Sequence, residues 1–143
     1  MEIREVEPSD LEEVNKIASN AFDDFNKFDY ERMASNKNYK FFVAKRESEV
    51  LGYVIFLHID EKLEIIKIAV KPKARRCGVA SKMIKAMLEF AKENNHTGII
   101  LEVNENNCGA RSFYEKMGFV SIYVRKKYYG GKDDAVIMEL KAI

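Results

Sequence analysis

The chain has 143 residues, with 24 lysines and arginines against 23 aspartates and glutamates, and a formal net charge of +1. So balanced a charge creates no overall field that would attract nucleic acid or an anionic membrane, and any anionic ligand must be bound by a local group of residues. The length predicts one compact domain over residues 1–143 with a single core, and therefore one active site.

The cysteines and histidines predict neither a metal site nor a disulfide framework. Cys77 and Cys108 do not form a CxxC pair, and His58 and His96 are far apart in the sequence, which favours a reducing compartment. The acidic N-terminus lacks the basic and then apolar pattern of a secretory signal, and no apolar stretch reaches 18 residues. We therefore expect a soluble, cytoplasmic protein.

The N-terminal half predicts a strand, two helices and an antiparallel meander. After a strand over residues 2–7, Ser9 and Glu12 have the spacing of a capping box, and apolar residues follow at helical spacing. The aromatic and acidic segment FDDFNKFDYERM, residues 22–33, predicts a loop that leads into a short helix over residues 30–35. Three runs rich in β-branched and aromatic residues then predict strands, over residues 40–44, 50–59 and 63–70.

The C-terminal half predicts two helices and three strands. From Gly78 the hydrophobic period changes to three and four residues, which predicts a long amphipathic helix that ends near Asn94. A buried strand over residues 98–103 and a helix stopped by Gly118 come next, and two strands joined around residues 130–131 close the chain. The order β-α-α-β-β-β-α-β-α-β-β predicts an α/β (α+β) domain in which helices flank a mixed, mostly antiparallel sheet of about seven strands.

The stretch KPKARRCGVASKM, residues 71–83, joins the last strand of the meander to the long helix. A loop at this place leaves backbone amides unpaired at the positive end of the helix dipole, where they can bind a phosphate, and Gly78 lets the backbone approach that ligand closely. The alternative interpretation is a solvated basic turn. The patterns of two familiar phosphate loops, G-x-x-x-x-G-K-[ST] and G-x-G-x-x-G, are absent.

Residues 75–80, RRCGVA, fit the pattern [RQ]-x-x-G-x-[GA], and over essentially its whole length the chain resembles the GNAT N-acyltransferase superfamily. The resemblance implies the GNAT fold, with acetyl-CoA as co-substrate. The loop would bind the pyrophosphate mainly through backbone amides, and the end of the preceding strand would hold the pantetheine arm. The implied cofactor-binding residues are Ile68, Ala69, Val70, Arg75, Arg76, Cys77, Gly78, Val79, Ala80 and Ser81. For Cys77, a small packing residue beside the cofactor and a reactive thiol are the alternatives.

Two further residues suit the acetylation of an amine. Glu102 is the only charged residue in the apolar strand GIILEV, and Tyr114 lies on the apolar face of the next predicted helix. A carboxylate can remove a proton from the attacking amine and a phenol can protonate the departing thiolate, while a backbone amide around residues 68–70 would bind the oxyanion. Taken singly, Glu102 can also be an exposed strand-end carboxylate, and Tyr114 a core tyrosine.

The C-terminal half contains L-E-V-x-x-x-N, then Y-E-x-x-G-F, then R-K-K-Y-Y followed by D-D-A-V-I-M. In these motifs it resembles the ribosomal-protein-alanine N-acetyltransferases and related N-terminal protein acetyltransferases. The resemblance implies that Glu102 is the proton acceptor, Tyr114 the proton donor and Asn107 a contact of the cofactor. Tyr128 and Tyr129 would help to wall the peptide groove, or would form an aromatic cross-strand contact.

The chain departs from this branch at three places. Asn104 stands where the branch commonly has Arg, Asn106 stands where it commonly has Ser, and residues 22–33 lack the Pro-Trp signature of the bacterial ribosomal enzyme. In the branch that segment forms much of the peptide pocket, so we take Phe25 as a candidate substrate contact and leave the acceptor open. The loop aspartates would attract a cationic amine or form an acidic solvated loop; they are Asp23, Asp24 and Asp29.

Together these residues predict an acetyl-CoA-dependent N-acetyltransferase that acts on the N-terminal α-amine of a protein, ribosomal proteins included, by direct attack in a ternary complex. An α-amine with a pKa of about 7.7–8.0 is roughly one-tenth neutral at pH 7, so a modest base suffices. The alternatives are a GNAT enzyme for a small amine or a lysine side chain, and a non-catalytic acyl-CoA-binding module. We expect acetyl-CoA and a protein N-terminus as partners, no metal, membrane or direct nucleic-acid partner, and a monomer or homodimer.

Overall fold

The computed structural model describes residues 1–22 and 29–142, and of Tyr129 it describes the backbone alone. The strands are β1 (Glu2–Glu5), β2 (Tyr39–Arg46), β3 (Glu49–Leu57), β4 (Lys62–Val70), β5 (Gly98–Asn104), β6 (Val120–Tyr129) and β7 (Asp133–Lys141). The helices are α1 (Leu11–Ala21), α2 (Tyr30–Ser35), α3 (Val79–Glu93) and α4 (Cys108–Lys116). This element order is the one that the sequence predicts.

The strands form one seven-stranded sheet in the order β1-β2-β3-β4-β5-β7-β6. Every neighbouring pair is antiparallel except β4 and β5, which run parallel because α3 carries the chain between them. The predicted mixed, mostly antiparallel sheet is therefore confirmed. The meander β2-β3-β4 leads directly into the parallel pair.

Two apolar clusters cover the two faces of the sheet. The first lies under α3 and α4, and its largest fully buried members are Phe56, Leu63, Met83, Ile84, Met87, Ile99, Phe119 and Met138. The second lies under α1 and α2 and includes Val14, Ile17, Tyr30, Val43, Tyr53 and Ile55. Burying each of the larger side chains stabilises the fold by about 1.5–3 kcal/mol. Alternate residues of β5 accordingly face opposite sides: Leu101 and Val103 pack in the first cluster, and Glu102 points away from it.

The start of the first helix differs from the prediction. The capping box of Ser9 and Glu12 is wrong: a 3₁₀ turn, Pro8–Asp10, precedes α1, and the Asp10 carboxylate accepts a hydrogen bond from the Glu7 amide at 2.9 Å. Asp10 is buried, which by itself would raise the pKa of its carboxyl. Hydrogen bonds from Lys45, from the Glu7 amide and from Arg4 outweigh that burial and hold the pKa below its usual value. This cluster fastens the beginning of the chain to β2.

Gly52 of β3 lets the end of β4 and the start of α3 come close together. A Cβ at this position would lie 2.8 Å from the carbonyl oxygen of Ala69 and 3.2 Å from the side chain of Val79. Only a residue without a side chain fits there, and the absent Cβ allows residues 68–70 to lie against the first turn of α3. Within the described ranges, no helix is long and apolar enough to cross a membrane.

Candidate active site

The parallel strands β4 and β5 separate after three paired residues. They pair only over residues 62–64 and 98–100. In the β3–β4 register, Ile55 pairs with Lys67 and Phe56 with Ile65, so Ile66 is an extra residue, a β-bulge, two residues beyond the last β4–β5 pair. A bulge bends its strand, and the remainder of β4 diverges from β5. We call the resulting gap between residues 65–70 of β4 and residues 101–104 of β5 the fork.

A cleft of about 1110 Å³ opens at the fork, between the end of β4, the loop before α3 and helix α4. Its lining residues are Ala21, Phe22, Ile68, Ala69, Val70, Arg75, Arg76, Ala80, Asn107, Gly109, Ala110, Ser112, Phe113, Tyr114 and Lys116. A cavity of about 370 Å³ shares five of its residues with this cleft, Val70, Arg75, Arg76, Ala80 and Phe113, and adds Ala74, Gly78, Val79 and Ser81. The structure thus brings together nearly all of the predicted cofactor-binding residues on one continuous surface.

The loop before α3 presents a row of unpaired backbone donors. Arg76 and Gly78 both have positive φ angles, 63° and 80°, so the chain turns sharply as it enters the helix. The backbone amides of residues 76–81 have no protein acceptor in the part of the chain that the structure describes. These amides stand at the positive end of a 15-residue helix dipole. Unpaired donors at this end suit a diphosphate, and the residues present therefore fit the pyrophosphate of acetyl-CoA.

The basic side chains around the loop have different surroundings. Lys71 is turned away to Glu49, with Nζ 2.8 Å from its carboxylate, and it does not line the cleft. Arg75 donates from Nε to the carbonyl oxygen of Val70 at 3.4 Å, and with Arg76 it lines both cavities. Cys77 is exposed and lies outside the lining of both, and its Sγ is 3.6 Å from the Arg75 carbonyl oxygen. The Cys77 side chain therefore lies outside both cavities, and the place of this residue beside the cofactor stays a prediction.

Tyr114 lies on the wall of the cleft and is 8% exposed. Its ring makes edge contacts with Phe113 and Phe119 at centroid distances of 5.3 and 5.4 Å. Burial raises the pKa of the phenol to about 12. Its hydroxyl has no hydrogen-bond partner among the described residues. Tyr114 therefore stays protonated at neutral pH and can donate to a ligand in the cleft.

Glu102 lies at the fork but outside the lining of the cleft. It is two residues beyond the last β4–β5 pair, on the face of the sheet opposite the α3 cluster. Its Oε1 is 3.0 Å from Nη1 of Arg125, and its side chain is 28% exposed. Glu102 and Tyr114 therefore approach the fork from opposite faces of the sheet. A group that spans the fork could reach the carboxylate on one side and the phenol on the other.

Asn107 lines the cleft and also begins α4. Its Oδ1 accepts a hydrogen bond from the Ala110 amide at 3.2 Å, as an N-cap side chain does. The cap leaves the side-chain amide of Asn107 available at the cleft surface. The two asparagines just before it, Asn104 and Asn106, both bind the carboxylate of Asp133 on the far hairpin.

The predicted peptide-groove residues are described only in part. Tyr128 is 50% exposed on β6, and the guanidinium carbon of Arg125 is 5.4 Å from the centroid of its ring. It does not line the main cleft. Phe25, Asp23, Asp24 and the side chain of Tyr129 lie outside the described residues. Asp29 caps α2, because its Oδ1 accepts a hydrogen bond from the Arg32 amide at 3.0 Å.

Comparison with known protein families gives a match to the acetyltransferase (GNAT) family over residues 5–119. The chain belongs to this family. It is an acyltransferase, and the resemblance and the fold inferred from its motifs are confirmed. The match begins within β1 and ends after α4, so it includes the fork, the loop before α3 and the cleft.

Two curated relatives carry more specific names. The [ribosomal protein bS18]-alanine N-acetyltransferase of Haemophilus influenzae is 27% identical over 142 residues, which cover 95% of each chain. The N-alpha-acetyltransferase of Sulfurisphaera tokodaii is 32% identical over 111 residues, which cover 68% of this chain and 66% of the relative. Both names describe the transfer of an acetyl group to nitrogen.

Two solved structures share the fold of this GNAT domain. The ribosomal-protein-S18-alanine N-acetyltransferase of Escherichia coli superimposes with a TM-score of 0.83 at 24% identity, over 99% of this chain and 93% of that chain. A Bacillus anthracis acetyltransferase solved in complex with acetyl coenzyme A gives a TM-score of 0.82 at 23% identity, over 98% of each chain.

Several residues of the GNAT site are missed by the sequence reasoning. Glu64 of β4 lies near Glu102, and burial together with the charge of Glu102 raises the pKa of its carboxyl. It carried the same signal as Glu102, a single acid between apolar residues of a strand. Phe22 and Lys116 line the cleft without a local sequence signal. Arg125 had none either, because its contact with Glu102 spans the width of β7.

Proposed function

We propose that this GNAT domain transfers an acetyl group from acetyl-CoA to the N-terminal α-amine of a protein, by direct attack of the amine in a ternary complex. The observation that carries the proposal is the arrangement at the fork. Glu102 approaches it from one face, and the neutral phenol of Tyr114 approaches it from the other. A proton acceptor and a proton donor on either side of one gap are what acyl transfer to an amine requires.

Acetyl-CoA suits the cleft as the acetyl donor. The unpaired amides of residues 76–81 would bind its pyrophosphate, and residues 68–70 would hold its pantetheine arm along the free edge of β4. The cleft volume of about 1110 Å³ lies just above the usual range for ligand pockets, as a long, extended ligand would need. When bound, acetyl-CoA supplies an activated thioester at the fork.

The residues of the chain then move two protons. Glu102 takes a proton from the amine nitrogen, through a water molecule because its carboxylate lies outside the cleft lining, as the carbon–nitrogen bond forms. A backbone amide within residues 68–70 stabilises the negative charge on the carbonyl oxygen. Tyr114 donates its proton to the sulfur as the carbon–sulfur bond breaks. One proton leaves the amine and one reaches the thiol, so the step is balanced.

An α-amine is the acceptor that best suits this arrangement and the relatives. At pH 7 roughly one-tenth of an α-amine is already neutral, whereas less than about one-thousandth of a lysine side chain is, so a modest base such as a carboxylate acting through water suffices for the first. The Haemophilus influenzae and Sulfurisphaera tokodaii relatives, named for alanine and N-alpha acetylation, support the same acceptor class. A ribosomal protein is a candidate acceptor on the strength of the first of these names.

The experiment is a thiol-release assay with three matched acceptors at saturating acetyl-CoA. The first is a peptide with a free N-terminal alanine and an internal lysine, the second is the same peptide blocked at its α-amine, and the third is spermidine. The proposal requires the highest kcat/KM for the first peptide. A faster reaction with the blocked peptide or with spermidine would make the enzyme a lysine or small-amine acetyltransferase. Acetyl-CoA binding without thiol release from any acceptor would make it a non-catalytic binding module.

The roles of Glu102 and Tyr114 are tested by Glu102→Gln and Tyr114→Phe. Each substitution keeps the shape of its side chain and removes one proton-transfer group. We expect kcat to fall on the order of 100-fold or more in each variant, with the acetyl-CoA dissociation constant unchanged. Wild-type rates in both variants would rule out this assignment of roles.

A further inference from the structure

We propose that Arg125 is a positioning residue that holds the carboxylate of Glu102 in the orientation needed to accept the proton of the amine. The inference rests on the proposed role of Glu102 but not on which amine is the acceptor. Arg125 itself touches neither acetyl-CoA nor the amine in this proposal and acts only through Glu102.

The strand register explains how Arg125 reaches Glu102. Arg125 on β6 pairs with Ala135 on β7, and Glu102 on β5 pairs with Ile137, two residues further along the same face of β7. Paired residues of neighbouring strands share a face of the sheet. The long side chain of Arg125 can therefore extend over the small Ala135, which is fully buried, and place Nη1 3.0 Å from Oε1 of Glu102.

The ion pair restrains the Glu102 carboxylate. Its Oε1 is 3.0 Å from Nη1 of Arg125. Because this oxygen is held, rotation of the carboxylate is restricted. A restrained carboxylate needs less reorientation before it accepts a proton through water.

A second acidic side chain lies on the same face of the sheet. Glu64 on β4 pairs in register with Ile100, which places its carboxylate on the same face as Glu102. The charge of Glu102 raises the pKa of Glu64, after the larger effect of burial, and the charge of Arg125 acts in the opposite direction. In the strand order β4-β5-β7-β6, Glu102 lies between Glu64 and Arg125, so repulsion from Glu64 and attraction to Arg125 direct the Glu102 carboxylate towards the same side. Arg125 therefore fixes the side on which this carboxylate lies.

Arg125 also connects Glu102 to the predicted peptide groove. The guanidinium group lies over the ring of Tyr128, with its central carbon 5.4 Å from the ring centroid, and its side chain is 48% exposed. Exposed ion pairs contribute little to folding stability. The contact is therefore expected to matter for the reaction more than for the fold.

The first experiment compares Arg125→Met with Arg125→Lys and with a control, Lys126→Met. Lys126 is the neighbouring residue of the same strand, is 81% exposed and pairs with Asp134. Lys126→Met therefore removes the same charge and leaves the contact of Arg125 with Glu102 in place. The assay uses whichever of the free-amine peptide, the blocked lysine peptide and spermidine the wild type acetylates fastest. We expect Arg125→Met to lower kcat on the order of 10- to 100-fold and to leave KM for acetyl-CoA unchanged. Arg125→Lys should recover most of the lost kcat, and Lys126→Met should have the kcat of the wild type. If circular dichroism shows that Arg125→Met is not folded, Arg125→Gln is assayed in its place.

The second experiment places Arg125→Met in the Glu102→Gln background. If Arg125 acts only through Glu102, the double variant is no slower than Glu102→Gln alone. A further loss of tenfold or more, or a wild-type kcat in Arg125→Met, would overturn the positioning role. Failure of the free-amine peptide with turnover of spermidine would refute the proposed acceptor and leave the Arg125 test intact. No turnover with any amine would refute both.

Discussion

The side-chain amide of Asn104 donates a hydrogen bond to Oδ2 of Asp133 at 3.1 Å. Asn106 donates to Oδ1 of the same carboxylate, also at 3.1 Å, and Oδ1 of Asn104 in turn accepts from the Asn106 amide at 2.9 Å. These two asparagines are the positions after L-E-V at which the chain departs from the branch that it resembles. They act together, as a brace between the turn that leads into α4 and the β6–β7 hairpin.

We expect Asp133→Ala to loosen the hairpin relative to the fork. It leaves the partly buried amide of Asn104 and the exposed amide of Asn106 without their acceptor, which costs about 1 kcal/mol in the free energy of unfolding. Because Tyr128 lies on that hairpin, KM for the peptide should rise several-fold while the dissociation constant of acetyl-CoA stays unchanged. Steady-state kinetics and urea unfolding measure the two effects. Lys132→Ala, a change at the neighbouring exposed position, is the control, and an equal rise in peptide KM there would contradict the brace.

Gly78→Val should weaken CoA binding far more than Arg75→Ala. The structure adds a second reason to the close approach of backbone to ligand: φ at Gly78 is +80°, a conformation that a β-branched residue does not tolerate. Valine would therefore rearrange the amides that bind the diphosphate. Arg75 contributes one of several contacts, and its loss should cost less than about tenfold.

Isothermal titration with CoA measures both variants. Lys73→Ala removes a cation from the same stretch that lies outside both cavities, and it should bind CoA like the wild type. Equal losses in Gly78→Val and Arg75→Ala would show that the arginine side chains, and not the backbone, dominate recognition.

The raised pKa of Tyr114 predicts a specific alkaline instability. An unfolded tyrosine ionises near its ordinary pKa of about 10, whereas in the fold burial raises the pKa to about 12. The stability that the buried phenol contributes is complete below pH 10 and is lost as the pH rises towards 12, because the unfolded chain releases its proton first. Between pH 9 and pH 11.5, the wild type should lose about 2 kcal/mol more unfolding free energy than Tyr114→Phe. The other tyrosines and the lysines are present in both proteins, so their effects cancel in the comparison. Equal losses of unfolding free energy in the wild type and in Tyr114→Phe, measured by urea unfolding, would refute the effect assigned to the burial of Tyr114.

The pH dependence of Glu102→Gln tests the proton acceptor. Without a base, only amine that is already neutral in solution can react, and this fraction rises from roughly one-tenth at pH 7 to nearly all at pH 9. The deficit of Glu102→Gln against the wild type should therefore be roughly tenfold larger at pH 7 than at pH 9. kcat/KM for the free-amine peptide across this range measures it. A deficit that is constant with pH would mean that Glu102 does not accept the proton.

Local patterns in the sequence predicted the elements of the site, and long-range geometry accounts for what they missed. The period change at Gly78 and the stop at Gly118 placed α3 and α4 correctly, because helix periodicity and positive-φ glycines are properties of neighbouring residues. The separation of β4 from β5 depends on a bulge at Ile66, and no particular residue type marks that bulge in the sequence. The sequence likewise assigned Glu102 to the site by its charge in an apolar strand but did not indicate its partner.

The capping box shows the same limit at the other end of the chain. Ser9 and Glu12 have suitable spacing, but the 3₁₀ turn starts the helical region earlier, and Asp10 is bound instead by Lys45, 35 residues away. The Asp10 carboxylate also accepts from the Glu7 amide, so a local contact that begins two residues earlier caps the turn in place of the predicted one.

The most direct test of the account is where the acetyl group is placed on a peptide that offers both kinds of amine. The purified protein is incubated with acetyl-CoA and a randomised peptide library in which every member has a free N-terminus and one internal lysine. The products are analysed by tandem mass spectrometry. The account predicts that the 42-dalton increment, roughly the mass of an acetyl group, lies on the N-terminal residue, and that it disappears in Glu102→Gln at pH 7. An increment on the lysine side chain, or an unchanged yield in Glu102→Gln, would contradict it.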